Sequence, residues 1–446
     1  MQNQVLHGQG LHRFVIVGGG AGGLELATLL GNSLGKTKRA HITLIDKNRT
    51  HIWKPMLHEI ASGSMDYTLH EVNYLAQAHW HHFQYRIGAM TGIDRERQLV
   101  FIDAYRDEDG QKVTDQRQIP YDTLVIAIGS RTNDFNITGV AEHAIQLDTA
   151  EQAERFQRKL VNACIRANAQ SEPLRPEQLQ LAIIGAGATG VELAAELHNS
   201  IRSLVAYGLD RINAETDVTI TLIEAAPRVL PALPERIAAE ATRILQKLNV
   251  KVRTDARVSA VTPTGVALAT GESIPAELVV WAAGVRAPVV LKDLAGLESN
   301  SINQLVVTPT LQSTRDPNVF AFGDCAAAVW QGQPEGTLIP PRAQAAHQQA
   351  VYLAKCLRNR LEGKPNGDFQ YQDFGSLVSL GDNWAVGGLM GNLAKGTLFI
   401  EGYVARFMYN MLYKKHQLGL HGFWKVALET IAGIIRKGTT SRIKLH

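Results

Sequence analysis

The chain has 446 residues, of which 45% are hydrophobic and 20% are charged, and its formal net charge is +3. That length is enough for two or three domains with full cores, and the near-balanced charge predicts no nucleic-acid partner. Three cysteines, Cys164, Cys325 and Cys356, are too few for a disulfide framework and indicate a reducing compartment. The opening MQNQVLHGQGLHR lacks the apolar core of a signal peptide, so we expect no cleaved leader.

The first element in chain order is a glycine-rich turn between a strand and a helix. It is FVIVGGGAGGLELATLL, with Gly18, Gly20 and Gly23 in the spacing G-x-G-x-x-G. The glycines let the backbone approach a pyrophosphate, and the helix N-terminus offers it free N–H groups. The next apolar strand, HITLID, ends in Asp46, a carboxylate suited to ribose hydroxyls. We therefore predict a dinucleotide site here.

The same signature occurs a second time. A helical stretch (149–167) and the polar linker SEPLRPEQ lead to LAIIGAGATGVELAAEL, with Gly185, Gly187 and Gly190. The strand VTITLIE then ends in Glu224. One such motif is weak support, but two with strand, helix and acid in order predict two dinucleotides in one chain. A strand-end carboxylate repels a 2′-phosphate, so NADH is favoured over NADPH, although Arg228 nearby weakens that preference.

Each of these two units closes in a similar way. YDTLVIAIGS and AELVVWAAGVRAP are apolar strands followed by Gly129 and Gly284, which are candidate cofactor contacts. Later, VFAFGDC gives a strand at 319–322 followed by Asp324, and we assign it to the first unit. Asp324 is either a cofactor contact or an ordinary helix-capping acid. From about residue 365, a glycine-rich stretch alternates as small antiparallel strands do.

The C-terminal part turns helical and basic. Residues 401–446 hold eight Lys and Arg against two acids, a net +6, so the remaining body carries −3. Apolar residues from Leu420 to Ile435 recur at the spacing of one helix face. No charge-free stretch reaches the roughly 20 residues that a spanning helix requires. The tail is either a core-facing or dimer-forming helix or, as we favour, a segment lying in the membrane interface.

Taken together, the patterns predict an α/β protein with two Rossmann-like dinucleotide-binding domains and a C-terminal amphipathic membrane-binding segment. We expect a split first domain, 1–140 with 301–375. The second domain is expected at 141–300 and the membrane-binding region at 376–446.

The order of GGGAGG, GAGATG, VFAFGDC, PPRAQAAHQ and a basic-apolar tail resembles the type II NADH dehydrogenases, single-subunit NADH:quinone oxidoreductases of bacterial respiratory chains. The likeness runs over nearly the whole chain, and AQAAHQ with the tail is its most specific part. The resemblance implies that the first turn holds FAD, with Asp46 on the adenosine ribose and Asp324 on the ribityl chain. It also implies that the second turn holds NADH, with Glu224 on the ribose.

The resemblance also bears on residues with two interpretations. It assigns Glu192 to the nicotinamide and flavin, although an acid in a first helical turn also complements the helix dipole. It assigns Gln344 and Gln348, which share a helix face, to a quinone or flavin-edge site rather than to a plain polar face. Lys54, in a loop after the first ribose acid, lies along the flavin or packs as surface.

Two further features are weaker. Lys395 reaches the flavin ring or is solvated. The histidines of HWHH, namely His79, His81 and His82, have no partner cluster at zinc spacing, so we expect no metal.

The implied reaction is transfer of a hydride from NADH to FAD and of two electrons to a membrane quinone, without proton translocation. The implied setting is the cytoplasmic face of the bacterial inner membrane, as a peripheral homodimer. A disulfide reductase is excluded because no cysteine precedes Cys164. A sulfide:quinone oxidoreductase and a non-catalytic flavin-bearing redox sensor remain as alternatives.

Overall fold

The computed structural model describes residues 10–381, 384–391 and 394–437. The chain divides into two compact units. The first comprises Met1–Ile52, Glu71–Arg131 and Arg286–Gln372, and the second comprises Trp53–His70, Thr132–Val285 and Asp373–His446. The predicted assignment of cofactor binding to 1–140 with 301–375, of NADH binding to 141–300 and of membrane binding to 376–446 stays a prediction.

The first unit is built on a six-stranded sheet. Its strands, in spatial order, are Gln312–Ser313, Asp316–Ala321, Thr123–Ile126, His12–Val17, Ala40–Asp46 and Gln84–Ile87. All neighbours are parallel except the first pair. Val319 lies beside Leu124, which confirms that the VFAFGDC strand belongs to this unit. A second sheet is antiparallel, in the order Arg117–Pro120, Leu99–Ile102, Met90–Asp94.

Helices cover the sheet of the first unit. They are Ala21–Leu30, Tyr74–Trp80 and Ala343–Leu361, with a π-helical turn at Gly31–Gly35. Short strand pairs complete the unit: Thr50–His51 with Val72–Asn73, Tyr105–Arg106 with Lys112–Thr114, and Leu305–Val306 with Ala326–Ala327. Phe14, Leu24 and Phe320 are fully buried in it. Each such side chain contributes about 1.5–3 kcal/mol by leaving water.

The second unit repeats this plan with five parallel strands. Their order is Ala144–Gln146, Leu278–Trp281, Gln180–Ile184, Thr219–Ile223 and Val250–Arg253. An antiparallel sheet of Val258–Thr262, Gly265–Leu268 and Ser273–Pro275 packs with it around a core that includes Ile184, Val266 and Trp281. Its helices are Leu57–Ser62, Val140–His143, Ala150–Ala169, Ala188–Ala206 and Glu235–Lys247. The helix predicted at 149–167 is confirmed, with Thr149 as its capping-box residue.

The C-terminal part of the second unit follows the glycine-rich pattern. The strands Gly375–Ser379, Ala385–Gly391 and Ala394–Glu401 form an antiparallel sheet, as predicted. Two helices come next, and we call them the first tail helix, Gly402–His421, and the second tail helix, Phe423–Lys437. Among the described helices, none combines the length and apolar composition that crossing a bilayer demands.

Two sequence predictions fail locally. The single helix face from Leu420 to Ile435 does not exist, because the first tail helix stops at His421 and Gly422 takes a positive φ of 76°. Leu420 is buried while Trp424, beyond the break, is 79% exposed. The stretch at Lys54 is also not a loop, since Lys54–Met56 forms a 3₁₀ turn that runs into the helix Leu57–Ser62.

The first tail helix turns its apolar side outward. Ala405, Gln417 and Leu420 are buried, whereas the opposite side presents exposed apolar side chains. These exposed residues are Tyr403, Val404, Phe407, Met411, Leu412 and Leu418. The second tail helix continues the surface with Phe423, Trp424, Leu428 and Ile431. A helix facing only water places such residues inward, so this surface indicates an apolar neighbour.

Candidate functional site

The first glycine turn has the shape that a pyrophosphate site requires. Gly18 has a φ of +104°, and a Cβ at this position would lie 2.3 Å from the Ala127 carbonyl oxygen. A Cβ at Gly23 would lie 1.8 Å from the Gly18 oxygen, so glycine permits the close approach of helix and strand. At Gly20, by contrast, a Cβ would meet no atom of the described chain within 4 Å beyond Gly20 itself and its two chain neighbours. The turn therefore keeps an open face at the N-terminus of Ala21–Leu30, which fits a phosphate group.

Asp46 is fixed beside this turn. Its carboxylate accepts hydrogen bonds from the Gly19 N–H at 2.7 Å and the Asn48 N–H at 2.8 Å. Burial raises the pKa of Asp46, and these two N–H groups oppose that rise. The buried Tyr74 hydroxyl donates to the Gly19 carbonyl at 2.7 Å. Tyr74 was missed from sequence, because a tyrosine 55 positions after the turn carries no local signal.

Asp324 is held at the end of its strand by residues from elsewhere in the first unit. The Ser130 hydroxyl donates to Asp324 Oδ2 at 2.7 Å. The preceding Gly323 N–H donates to the side-chain oxygen of Gln349 at 2.8 Å. Ser130 follows Gly129, so the predicted strand-end glycine and the predicted acid are brought to one place. Gln349 was not identified from the sequence. Its position in AQAAHQQ, on the buried face of a helix, could have indicated a structural role.

Gln344 and Gln348 lie on the helix Ala343–Leu361, and both are partly buried. The Gln348 amide donates to the Gln372 carbonyl at 2.8 Å and accepts from the Gln372 N–H at 3.0 Å. This pair of bonds fixes the orientation of the amide. The assignment of both glutamines to a quinone or flavin edge stays a prediction.

The second glycine turn repeats the geometry of the first. Gly185 has a φ of +100° with Ala283 against it, and a Cβ at Gly190 would lie 1.9 Å from the Gly185 oxygen. A Cβ on Gly187 would meet no atom of the described chain within 4 Å beyond Gly187 itself and its two chain neighbours. Glu224 accepts from the Ala186 N–H at 2.7 Å and, with its other oxygen, from the Ala226 N–H at 2.9 Å. Backbone N–H groups thus fix the positions of both carboxylate oxygens of Glu224.

The sheet order of the second unit indicates where a dinucleotide would lie. Gln180–Ile184 is flanked by Thr219–Ile223 on one side and Leu278–Trp281 on the other. The strand order therefore reverses at Gln180–Ile184, which makes it a topological switch point. Ligands of open parallel sheets bind outside the carboxyl ends at such a point. Glu224 marks one side of it. Gly284 follows the strand on the other side, with a φ of +66° and the Phe135 ring packed against it.

Arg228 does not extend toward a 2′-phosphate position in this structure. Its guanidinium donates to the carbonyls of Leu233 at 2.8 Å and Pro231 at 3.0 Å. The arginine is therefore tied to its own loop, which leaves the carboxylate of Glu224 as the charged group fixed at the turn.

Glu192 lies in the second unit, within a buried group of polar side chains. It is 6% exposed, and its Oε1 accepts from the Ser379 N–H at 3.1 Å. Its Oε2 lies 3.4 Å from Nδ1 of His58, which is 1% exposed. Burial raises the pKa of Glu192 to about 8 and lowers the pKa of His58 to about 3. Near pH 7 the carboxyl group is therefore largely protonated and the imidazole neutral.

The other predicted residues have ordinary positions. Lys54 Nζ lies 3.7 Å from Asp148, on the exposed end of its turn, and its contact with a cofactor stays a prediction. The backbone of Lys395 belongs to the strand Ala394–Glu401, while its side chain lies outside the description. His81 pairs with Asn32 at 3.0 Å. Over residues 10–381, 384–391 and 394–437, no three His, Cys, Asp or Glu side chains gather as a metal would need.

Comparison with known proteins supports the same reading over nearly the whole chain. Residues 12–350 match the family described as pyridine nucleotide-disulphide oxidoreductase. A type II NADH:quinone oxidoreductase of Haemophilus influenzae is 44% identical over 97% of this chain and 99% of its own length. One from Staphylococcus aureus is 30% identical over 86% of this chain and 91% of its own.

The fold agrees as well. The structure of NDH2 from Plasmodium falciparum in complex with NADH superposes with a TM-score of 0.78, at 20% identity, covering 97% of this chain and 100% of that one. The predicted fold class is thereby confirmed. With two glycine turns, two backbone-fixed acids and these relatives, the chain belongs to the pyridine nucleotide-disulphide oxidoreductase family and, within it, to the type II NADH:quinone oxidoreductases.

Proposed function

We propose that this chain is a respiratory NADH:quinone oxidoreductase that works through a bound FAD and does not translocate protons. The observation that carries the proposal is the pair of open glycine turns, each with a strand-end acid fixed by the N–H group of the turn's second residue. One chain with two such turns is built for two dinucleotides. Its curated relatives carry the name of this reaction.

The residues of the first unit suit FAD. Gly18, Gly20 and Gly23 leave the helix N-terminus open for its pyrophosphate, while Asp46 meets the adenosine ribose. Asp324, positioned by Ser130 beside Gly129, serves the ribityl chain, and Lys54 is a further candidate contact. A bound flavin accepts a hydride equivalent from nicotinamide and returns two electrons to a quinone.

The second unit suits NADH. Gly185, Gly187 and Gly190 form the pyrophosphate turn, Glu224 accepts the ribose hydroxyls, and Gly284 borders the other half of the site. Because Glu224 is fixed by two backbone N–H groups, it cannot swing away from a 2′-phosphate, and the clash disfavours NADPH.

Three side chains are proposed to take part in the reaction. Glu192, protonated near neutral pH, can hold or release a proton. Gln344 and Gln348 offer amide groups to the carbonyls of a quinone or flavin edge. All three roles are proposals that substitution tests directly.

The tail helices are proposed to bind the surface of a bilayer. Their exposed apolar side, including Phe407 and Trp424, would enter the interface, and exposed lysines such as Lys425 would meet anionic lipid. The arrangement supports a peripheral protein, and we place it on the cytoplasmic face of the bacterial inner membrane, the bilayer that holds its quinone. A homodimer remains a further proposal, to be checked by analytical ultracentrifugation in detergent.

The decisive experiment is the visible spectrum of purified protein before and after anaerobic NADH, followed by a NADH:menadione assay. A yellow protein that bleaches with NADH and turns over without sulfide supports the proposal, and a colourless protein refutes it. Bleaching without turnover supports a redox sensor, and turnover that needs sulfide supports the sulfide enzyme. The thiols argue against the latter, since Cys164 and Cys325 are free and burial raises their pKa values to about 11 and 12.

A further inference from the structure

Arg406 carries a positive charge from the first tail helix into the interior of the second unit. Its side chain is 17% exposed, and Nη2 lies 3.5 Å from Oε1 of Glu59, which is 12% exposed. Nη1 donates to the Ser379 hydroxyl. The guanidinium also lies 5.5 Å from the centre of the Tyr409 ring, one turn further along the same helix. A helix whose outer side is apolar thus sends its arginine inward.

This arginine enters the same buried group as Glu192. The helix Leu57–Ser62 contributes His58 and Glu59, and the strand Gly375–Ser379 contributes the N–H that Glu192 accepts. Tyr409 interacts electrostatically with both Glu192 and Glu59. Four elements therefore converge on one carboxyl group.

The charges within this group are unequal. Arg406 carries the positive charge. The other basic side chain, His58, is neutral, because burial and the nearby Arg406 lower its pKa. Glu59 and Glu192 are its acids: the proximity of Glu59 raises the pKa of Glu192, and the proximity of Arg406 lowers it. The first tail helix thus supplies the positive charge that offsets the effect of Glu59 on the pKa of Glu192.

Stability alone gives little reason for this arrangement. Burying a guanidinium and two carboxyl groups costs desolvation energy, and well-packed apolar side chains of similar volume are often as stable or more so. An ionic contact between the first tail helix and Glu59, in the buried group that also holds Glu192, is better explained by a task in turnover.

We propose that Arg406 is a positioning residue, which holds Glu192 in its working orientation and balances Glu59 whenever the first tail helix is seated. The inference rests on the proposed function, because it deepens the role given to Glu192. Its consequence is that attachment of the tail and competence for turnover are linked through one side chain.

The test uses full-length, flavin-loaded protein in liposomes and measures NADH:quinone kcat and KM across pH. The variants are Arg406→Gln, Arg406→Lys, Glu59→Gln, Glu192→Gln and the double variant R406Q/E192Q. Lys247→Gln is the matched control, since it removes one positive charge from an exposed position on another helix of the same unit, Glu235–Lys247. Flavin content and Tm are recorded for each.

R406Q is expected to lower kcat by about 10- to 100-fold, the range for a displaced reacting group, with KM for NADH little changed. Its pH profile should shift to higher pH by about one unit, because a neighbouring cation has been removed. E59Q should shift the profile to lower pH, because it removes a like charge. R406K should recover part of kcat, and R406Q/E192Q should be no slower than E192Q alone.

Opposite pH shifts separate a positioning role from a merely structural one, which would give loss of activity without them. If R406Q does not retain flavin, R406K and E59Q provide the same comparison. The inference is overturned if R406Q keeps the wild-type kcat and pH profile, if K247Q loses as much activity as R406Q, or if the two losses multiply in R406Q/E192Q. Failure of the proposed function would look different: the wild type itself would not reduce quinone with NADH.

Discussion

Individual side chains set the pH range over which this protein is stable. Glu192 binds a proton more tightly in the folded chain than in the unfolded one, because burial raises its pKa to about 8 from 4.5. The neighbouring His58 does the opposite, since its pKa falls to about 3 from 6.5. Each group changes the free energy of unfolding by up to about 1.4 kcal/mol per pH unit while the two states differ in protonation.

The two residues predict a plateau in their joint contribution to stability. His58 makes the protein lose stability as pH falls from 6.5 toward 3, and Glu192 makes it lose stability as pH rises from 4.5 toward 8. The two contributions cancel between pH 4.5 and pH 6.5, the pKa values of Glu192 and His58 in the unfolded chain. Urea unfolding of Glu192→Gln should therefore lose the decline from about pH 6.5 to 8 that the wild type shows. A variant that keeps the full decline would contradict the protonation assigned to Glu192.

Glu224 controls the choice of nucleotide. Changing Glu224→Gln removes the charge that repels a 2′-phosphate and weakens the bonds to ribose and to the Ala186 N–H. The lost charged hydrogen bonding is worth about 1.5–3 kcal/mol, so KM for NADH should rise about 10- to 100-fold. The ratio of kcat/KM for NADPH to that for NADH should rise as well.

Flavin content is the control for Glu224→Gln. Glu224 belongs to the second turn, so the spectrum of the variant should match that of the wild type. Asp46→Asn provides the comparison, because loss of that carboxylate should lower flavin content. Equal loss of flavin in both variants would show that the two turns are not specialised as proposed.

At the scale of an element, different glycines of one turn have different roles: one leaves room for the ligand, and another lets the helix pack closely against the strand. Gly187→Ala adds a methyl group that meets no described atom within 4 Å beyond its chain neighbours, whereas Gly190→Ala puts one 1.9 Å from the Gly185 oxygen. Gly187→Ala should therefore keep the Tm of the wild type and raise KM for NADH. Gly190→Ala should lower the Tm by several degrees, since it forces helix and strand apart.

Differential scanning fluorimetry and steady-state kinetics on the same preparations make this comparison. The flavin spectrum serves as the internal standard, as neither glycine belongs to the first turn. A stable G190A protein with an unchanged KM would mean that the helix can shift without cost, and the steric account of the third glycine would be wrong.

The two tail helices have different attachments, which changes how a truncation should be designed. Deletion from residue 402 would remove both tail helices, and with them the buried Ala405 and Leu420 and the largely buried Arg406. Ending the chain at Gly422 removes the second tail helix and keeps those contacts.

The shorter cut should release much of the membrane binding while NADH still reduces a soluble acceptor. Deletion from residue 402 should destabilise the second unit as well, because it leaves Glu59 without the arginine beside it. Liposome flotation and thermal unfolding of the two truncated proteins test this difference. A protein ending at Gly422 that floats as fully as the wild type would assign membrane binding to the first tail helix alone.

At the scale of the whole molecule, the proposed function is oxidation of NADH by quinone without translocation of protons. Proteoliposomes supplied with NADH and quinone should consume NADH without building a membrane potential, as followed by a potential-sensitive dye. A gramicidin-sensitive dye response from this protein alone would refute the proposal that no protons are translocated.

Much of the fold was predictable because its signals are local. Each glycine turn and its acid are joined by one strand-helix-strand passage, so spacing predicts them. The antiparallel strands after residue 374 also follow from alternation. Tyr74 and Arg406 were not predictable, because each acts on a partner far away in sequence and has no motif of its own.

The failures have a physical cause as well. Periodicity alone joined Leu420 to the apolar residues after it, since a helical pattern does not show that Gly422 adopts a left-handed backbone. The buried polar group around Glu192 was hidden for another reason. Its members come from four segments, and a charged residue on a tail helix is normally expected to face solvent.

The outward apolar side of the tail helices has a practical consequence for handling the protein. Without lipid or detergent, side chains such as Phe407 and Trp424 have only one another to contact across molecules. Sedimentation in plain buffer should then report concentration-dependent clustering that vanishes above the critical micelle concentration of an added amphiphile. Any hydrodynamic mass quoted for this protein is meaningful only alongside the surfactant in which it was measured.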